Sequence, residues 1–280
     1  MNQEEGFFNS FDGTRLYYRV WNFRGPKSCF ILHGYGEHCA RYDEVAHLLS
    51  DTGFSFFAFD ARGQGRSEGK RVHADRFHDY VKDVEFFKRF LTEQKKLRPD
   101  KPAALWGHSL GGLVAAYFAW EHSAELEALI LTSPCFGLSG LASANLTRAL
   151  VRGLNRVSPN LVLNNLVNPR YLFHGEEKMK EYLADPLIER KITVHLSVEI
   201  VKTCQDAGSH SWKIPVPVCV LASGDEKIVS LEATERWFER LQAPQKTMEV
   251  YPGFYHELFH EPMRSKPIGD LKRFLKQMAS

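Results

Sequence analysis

Short apolar runs alternate along the chain with stretches whose apolar residues recur every three or four positions. Phe7 to Phe11 and Leu16 to Trp21 flank Asp12-Gly13, a turn dipeptide, and predict an opening hairpin. Cys29-Phe30-Ile31-Leu32 predicts a buried strand ending at His33-Gly34. Tyr42, Val45, Leu48 and Leu49 share a face of a helix that Gly53 stops. Phe54 to Phe59 is the next strand, and Val81, Val84, Phe87 and Leu91 mark an amphipathic helix. Ala103 to Trp106 is strand-like, Leu113 to Trp120 helical, and Ala128 to Thr132 strand-like again. This alternation predicts an α/β fold with a mostly parallel central sheet and helices on both faces. The site of such a sheet lies at the carboxyl ends of its strands.

The alternation stops after Ser133-Pro134 and resumes at Pro217 to Leu221 and Thr247 to Tyr251. Residues 136–211 between them read as helix and loop, with no good strand. Leu146, Leu150, Leu154 and Val157 form one apolar stripe and Val194, Val198 and Val201 another, with Leu161, Val162, Leu163, Leu166 and Val167 in loop between them. The expected organisation is a core of residues 1–135 and 212–280 and a helical cap of residues 136–211, inserted as a lid over the strand ends. Arg148, Arg152 and Arg156 recur every four residues, as a solvated face or as a contact for anionic lipid.

Composition narrows the function. A net charge of +2 over 280 residues suggests no nucleic-acid surface, and nothing implies a protein partner. No apolar run reaches about 18 residues, so no spanning helix is expected. Met1-Asn2-Gln3-Glu4-Glu5 is acidic and polar, unlike a secretory signal. The five cysteines are scattered without a C-x-x-C spacing, and Cys29 and Cys219 fall in strands as small core residues. A reducing, cytoplasmic setting with peripheral membrane contact fits this pattern.

The chemistry centres on Gly107-His108-Ser109-Leu110-Gly111, between a strand and a helix. This Gly-x-Ser-x-Gly turn is a nucleophile elbow, which holds a serine in a strained conformation at a strand end. A Cβ at Gly107 or Gly111 would clash with so tight a turn. The Leu110 amide, at the helix N-terminus, points where an oxyanion would form. A serine needs a base and the base an orienting carboxylate, both downstream in this fold. Ser223-Gly224-Asp225-Glu226 and Pro252-Gly253-Phe254-Tyr255-His256 follow the last two strand patterns and supply candidates.

The chain resembles the monoacylglycerol lipase and lysophospholipase family of α/β hydrolases, serine hydrolases of bacterial type. The resemblance rests on His33-Gly34-Tyr35-Gly36-Glu37-His38 with Arg41-Tyr42, on Asp60-Ala61-Arg62-Gly63-Gln64-Gly65-Arg66-Ser67-Glu68-Gly69, on the elbow, on Tyr182 with Asp185-Pro186-Leu187, and on Tyr255-His256. It implies Ser109 as nucleophile, His256 as base, and the amides of Tyr35 and Leu110 as oxyanion donors. The family's acid is usually Asp. Here the ungapped register between Val216-Pro217 and Ile228-Val229 puts Glu226 at that place, with Asp225 one residue early as the alternative. Glu37, Arg41 and Tyr182 match positions near a glycerol head group; Glu37 and Arg41 could equally only brace the oxyanion loop. His33 reads as structural, and Asp60 and Arg62 as holding the neighbouring loop.

The expected activity is carboxylester hydrolysis of a single-chain lipid, a monoacylglycerol or lysophospholipid, through an acyl-enzyme. It needs no cofactor and no metal, and the cap touches a membrane or micelle surface transiently. Alternatives on the same scaffold are a small-ester esterase and a proline-type serine peptidase. A non-catalytic binding protein would not need the intact serine, histidine and acid set. His256-Glu257-Leu258-Phe259-His260 also spells H-E-x-x-H, a zinc-peptidase signature. That motif requires a continuous helix and a third protein ligand, whereas Pro252-Gly253 and Pro262 crowd it closely.

Overall fold

The structure, a computed structural model, describes residues 2–97, 102–143 and 145–279. Met1 and Ser280, the outer limits of the expected core, lie outside the described residues. The opening hairpin is β1 (Asn2–Asn9) and β2 (Arg15–Asn22). It is paired antiparallel from Asn2↔Asn22 to Asn9↔Arg15, so β1 starts earlier than the apolar run and stops before Phe11. There follow β3 (Lys27–Leu32), α1 (Asp43–Leu48), β4 (Phe54–Phe59), α2 (His78–Glu93), β5 (Ala103–His108), α3 (Leu110–Glu121) and β6 (Leu126–Thr132).

Between β6 and the next sheet strand lie α4 (Asn145–Val157), β7 (Val162–Asn164), α5 (Glu176–Ala184), β8 (Lys191–Thr193) and α6 (Val194–Ser209). The chain ends with β9 (Val218–Ser223), α7 (Leu231–Arg240), β10 (Lys246–Tyr251) and α8 (Ser265–Ala279). Eight strands form one sheet in the order β1-β2-β4-β3-β5-β6-β9-β10. β2 is antiparallel to both its neighbours, and the other pairs are parallel. The fold is therefore α/β with a mostly parallel central sheet.

The inner strands are mostly apolar because helices cover both faces of the sheet. β4, β5 and β9 are buried at every position. On one face Leu105, Leu129 and Val220 pack with Val84, Phe87 and Leu91 of α2 and with Leu113 and Phe118 of α3. On the other, Ile31, Phe56 and Trp106 pack with Val45 of α1 and Leu271 and Leu275 of α8. α3 is buried along almost its whole length, as a helix apolar on all sides must be. It carries the elbow at its N-terminus, so the most enclosed helix of the core positions the site.

Two expectations need correction. Residues 136–211 contain a strand pair: β7 and β8 form an antiparallel ribbon, Val162↔Thr193 to Asn164↔Lys191. A three-residue strand is too short to carry a readable period. Leu48 is 44% exposed, although Tyr42, Val45 and Leu49 are buried, because the six-residue α1 ends at Leu48 before its face repeats.

Candidate active site

β5 delivers the chain to Ser109 and α3 takes it away at once, leaving room for one sharp turn. Ser109 has φ of 51° and ψ of −117°, a left-handed conformation that a non-glycine residue adopts only under constraint. The constraint is a set of backbone bonds. The Ser109 amide donates to the Thr132 carbonyl (3.0 Å), and the Ser109 carbonyl accepts from the amides of Gly112 (3.0 Å), Leu113 (3.2 Å) and Cys135 (3.0 Å). The flanking glycines are forced. A Cβ on Gly107 would lie 2.2 Å from the Gly111 carbonyl oxygen, and one on Gly111 would lie 2.3 Å from that of Leu32.

His256 leaves β10 on the segment after Pro252-Gly253, and its ring centroid lies 4.9 Å from that of His108, the residue before Ser109. Its Nδ1 is 2.7 Å from Glu226 Oε2. A carboxylate only accepts, so Nδ1 carries the proton and Nε2 is the basic nitrogen. The other Glu226 oxygen, Oε1, accepts the amides of Ile228 (2.8 Å) and Val229 (3.2 Å). The side chains of His256 and Glu226 are only 4% and 3% exposed, so water competes little for the pair. Burial raises the Glu226 carboxyl, but the His256 charge and hydrogen bond and the two amides outweigh it and hold Glu226 below its ordinary value. Burial likewise pulls His256 down, and the charge and hydrogen bond of Glu226, with the charges of Glu257 and Glu37, more than compensate, so His256 lies above its ordinary value.

Asp225 is exposed. Its amide is bound to the Phe254 carbonyl at 3.0 Å. The structure therefore brings Glu226, not Asp225, onto His256. The acid loop is also tied to the start of the inserted segment. Ser139 donates its amide to Ile228 O (3.0 Å) and its hydroxyl to Val229 O (2.7 Å), and the Ser230 amide donates to Gly137 O (2.9 Å).

Tyr35, Ser109 and Leu110 all line a cavity of about 560 Å³. Among the described residues no hydrogen bond engages the amides of Tyr35 or Leu110, so both donors remain for a ligand. The Tyr35 hydroxyl donates to the Lys191 carbonyl at 2.5 Å, and Gly36 O accepts the Glu189 amide at 2.9 Å, which fixes this loop to the inserted segment. The rest of the wall is largely apolar and includes Val151, Leu163, Val198 and Ile228.

Glu37, Arg41 and Tyr182 do not line this cavity. They form a buried ionic cluster beside His108. Arg41 binds both oxygens of Glu257, at 3.0 and 2.5 Å, and lies 3.7 Å from Glu37 and 5.0 Å from the Tyr182 ring centroid. Burial raises the Glu257 carboxyl, but Arg41 and His260 hold it far below its ordinary value. His260 Nδ1 is 3.0 Å from Glu257, and the residues from 256 to 260 form turns rather than a helix. The two histidines of H-E-x-x-H thus face different carboxylates, and its glutamate is committed to Arg41. The Glu257 role has no local signal, since its partner is more than two hundred residues away.

The sequence pattern assigns His108, inside the elbow, no separate role. Burial pushes it down to about 4, and its Nδ1–H donates to Thr132 O at 3.0 Å, so it is neutral near pH 7. His33 accepts the Ala61 amide on Nε2 (2.8 Å) and donates from Nδ1 to Gly34 O (2.7 Å), a strand-end brace. Asp60 accepts the amides of Cys39 (2.7 Å) and Arg66 (2.8 Å), and Arg62 is paired with Asp83 (2.6 Å) and Asp12 (2.8 Å). Both hold loops.

Sheet order, crossovers and a serine on a strained elbow define an α/β hydrolase. A family model described as serine aminopeptidase, S33 matches residues 26–263, and the chain belongs to that family. It is 32% identical over 254 residues to the monoglyceride lipase of Homo sapiens, covering 89% of this chain and 82% of that protein. It is 28% identical over 277 residues to the uncharacterized protein YnbC of Escherichia coli, covering 98% of this chain but only 47% of that longer protein. Among solved structures, the monoacylglycerol lipase of Paleococcus ferrophilus superposes with a TM-score of 0.81 at 26% identity, covering 99% of this chain and 100% of that one.

Proposed function

We propose that the protein hydrolyses the carboxylic ester of a single-chain lipid, a monoacylglycerol or lysophospholipid, through an acyl-enzyme on Ser109. The observation that carries the reading is a cavity of about 560 Å³, apolar along most of its wall, that is lined by Ser109, in a chain that also holds the buried Glu226–His256 pair. Its volume falls within the roughly 300–1,000 Å³ usual for small-molecule pockets.

In the proposed mechanism His256 Nε2 removes the Ser109 proton as Oγ attacks the ester carbonyl carbon. The negative charge on the carbonyl oxygen falls on the amides of Tyr35 and Leu110, which are fixed before reaction and so need no reorganisation. Glu226 keeps the proton on Nδ1 and stabilises the imidazolium. Collapse breaks the ester bond, and the departing alcohol takes the proton from His256. Water, deprotonated by His256, then attacks the acyl-enzyme, releasing the carboxylate and restoring Ser109.

Residues 136–211 act as the cap. Their apolar wall receives the acyl chain. Leu146 (73% exposed), Leu150 (65%) and Val157 (84%), on the outer face of α4, and Leu166 (58%) near the cavity make the transient contact with a membrane or micelle. Glu37, Arg41 and Tyr182 brace the oxyanion loop against Glu257 and hold the residue next to His256 in register. Among the described residues no helix is long and apolar enough to cross a membrane.

An activity panel tests the reading: long-chain monoacylglycerols, lysophospholipids, short-chain esters and peptide amides, with and without a chelator. Turnover of the long-chain lipids with chelator-insensitive rates is expected. Preference for peptide amides, or activity lost to chelator and restored by zinc, would overturn it.

A further inference from the structure

A second cavity, of about 440 Å³, lies behind the first between α4, α6 and α7. Leu138, Arg148 and Val201 line both, so they form the partition between them. The wall of the second cavity carries Arg148, Arg236 and Arg240 and no carboxylate. Arg148 is half-buried and has no ion-pair partner among the described residues. Arg236 pairs with Glu232 one turn back on α7, and Arg240 donates to the Gly208 carbonyl, which leaves most of its guanidinium free for a ligand. Deeper in, the rings of Phe136 and Trp237 stack at 4.3 Å with 14° between planes.

Trp237 is 3% exposed. Three arginines on a wall that carries no carboxylate, beside an apolar interior, call for a ligand with an anionic head and an apolar chain. Deacylation of Ser109 would release such a molecule on the far side of the partition.

We propose that the second cavity binds a long-chain carboxylate, the acid that the reaction sets free. This identification rests on the lipid-ester reading above. The carboxylate is held by Arg148, Arg236 and Arg240, and the chain lies along Phe136, Val201 and Trp237.

The test fills the first cavity by reacting Ser109 with a hexadecyl fluorophosphonate, confirmed by intact mass. The blocked protein is then titrated with 9,10-dibromostearate, whose bromines quench nearby tryptophan fluorescence. The proposal expects saturable quenching at about one equivalent and affinity at least about tenfold weaker for the matching brominated alcohol, which lacks the charge. Arg148→Gln and Arg236→Gln should each weaken binding about tenfold while keeping the thermal midpoint. Trp237→Phe should remove most of the quenching; if it does not fold, the arginine variants decide. No saturable quenching, equal affinity for acid and alcohol, or unchanged affinity in both arginine variants would overturn the site. A Ser109 that does not react fails the hydrolase reading first, and is seen before any acid is added. The same titration of unreacted protein, read against Trp237→Phe, then decides the site alone.

Discussion

Ser109 and Leu163 line one cavity but are held in different ways. Ser109 sits on the most enclosed helix of the core, with four backbone hydrogen bonds converging on its own amide and carbonyl. Leu163 sits on a three-residue strand paired only with β8 and is 38% exposed. The elbow is over-determined and tolerates no shift, whereas the inserted ribbon is bound at its margins and presents apolar surface outward. The contrast separates two jobs. A reaction geometry needs atoms fixed to a fraction of an ångström, while selection of an apolar chain needs only a wall of suitable shape.

The largest effects should therefore fall on the rigid half. Ser109→Ala should lower kcat on the order of 10⁴-fold or more for every substrate, long or short, with the fold retained. A fluorophosphonate should label the wild type once, at Ser109. Label elsewhere, or an active Ser109→Ala protein, would break the assignment of chemistry to the elbow. His256→Ala should be comparably dead, and His260→Ala should lose far less, since His260 contacts Glu257 and not Glu226.

Glu226→Gln should reduce kcat on the order of 10⁴-fold, because an amide can present an N–H to Nδ1 and stabilise the wrong tautomer. Asp225→Asn should change it little. The reverse ranking would mean that the loop slips by one residue.

Next in size is a shift in pH dependence. His256 must be neutral to act as a base, and its folded value lies above the ordinary value of about 6.5. Hence kcat/KM should rise through a pKa above about 6.5, and Glu226→Gln should move that midpoint down. The linked stability has the opposite slope. The protonated His256 pair contributes fully below the unfolded value and its contribution fades as pH climbs through the folded one. An NMR titration of His256 in Ser109→Ala checks both; a midpoint at or below the unfolded value would contradict the pairing.

What could be read from the chain follows the same division. The elbow is legible because its glycines, serine and flanking apolar runs are contiguous. The acid was narrowed to two neighbours by register, and only the direction in which each side chain leaves β9 separates Glu226 from the exposed Asp225. Arg41 and Glu257 lie too far apart in sequence for either to announce the other. The stripe of Leu146, Leu150 and Val157 was visible as a period, but a period does not say which side faces the core. Here it faces solvent. Arg148, placed with Arg152 and Arg156 as one basic face, instead reaches between two cavities.

The smallest expected effect is also the one that best isolates the cap. If Leu163 contributes wall to the acyl chain, each further CH₂ buried should add about 0.8 kcal/mol, so kcat/KM should climb over several carbons and then level off once the cavity is full. Leu163→Asp puts a charge into that wall, and long-chain esters should lose about tenfold or more while a short ester, which does not reach it, stays near the wild-type rate. A short ester tests the elbow alone and a long one tests elbow and cap together, so the ratio of the two cancels any general damage to folding. A flat chain-length profile, or equal loss on both substrates, would show that Leu163 only packs the cap.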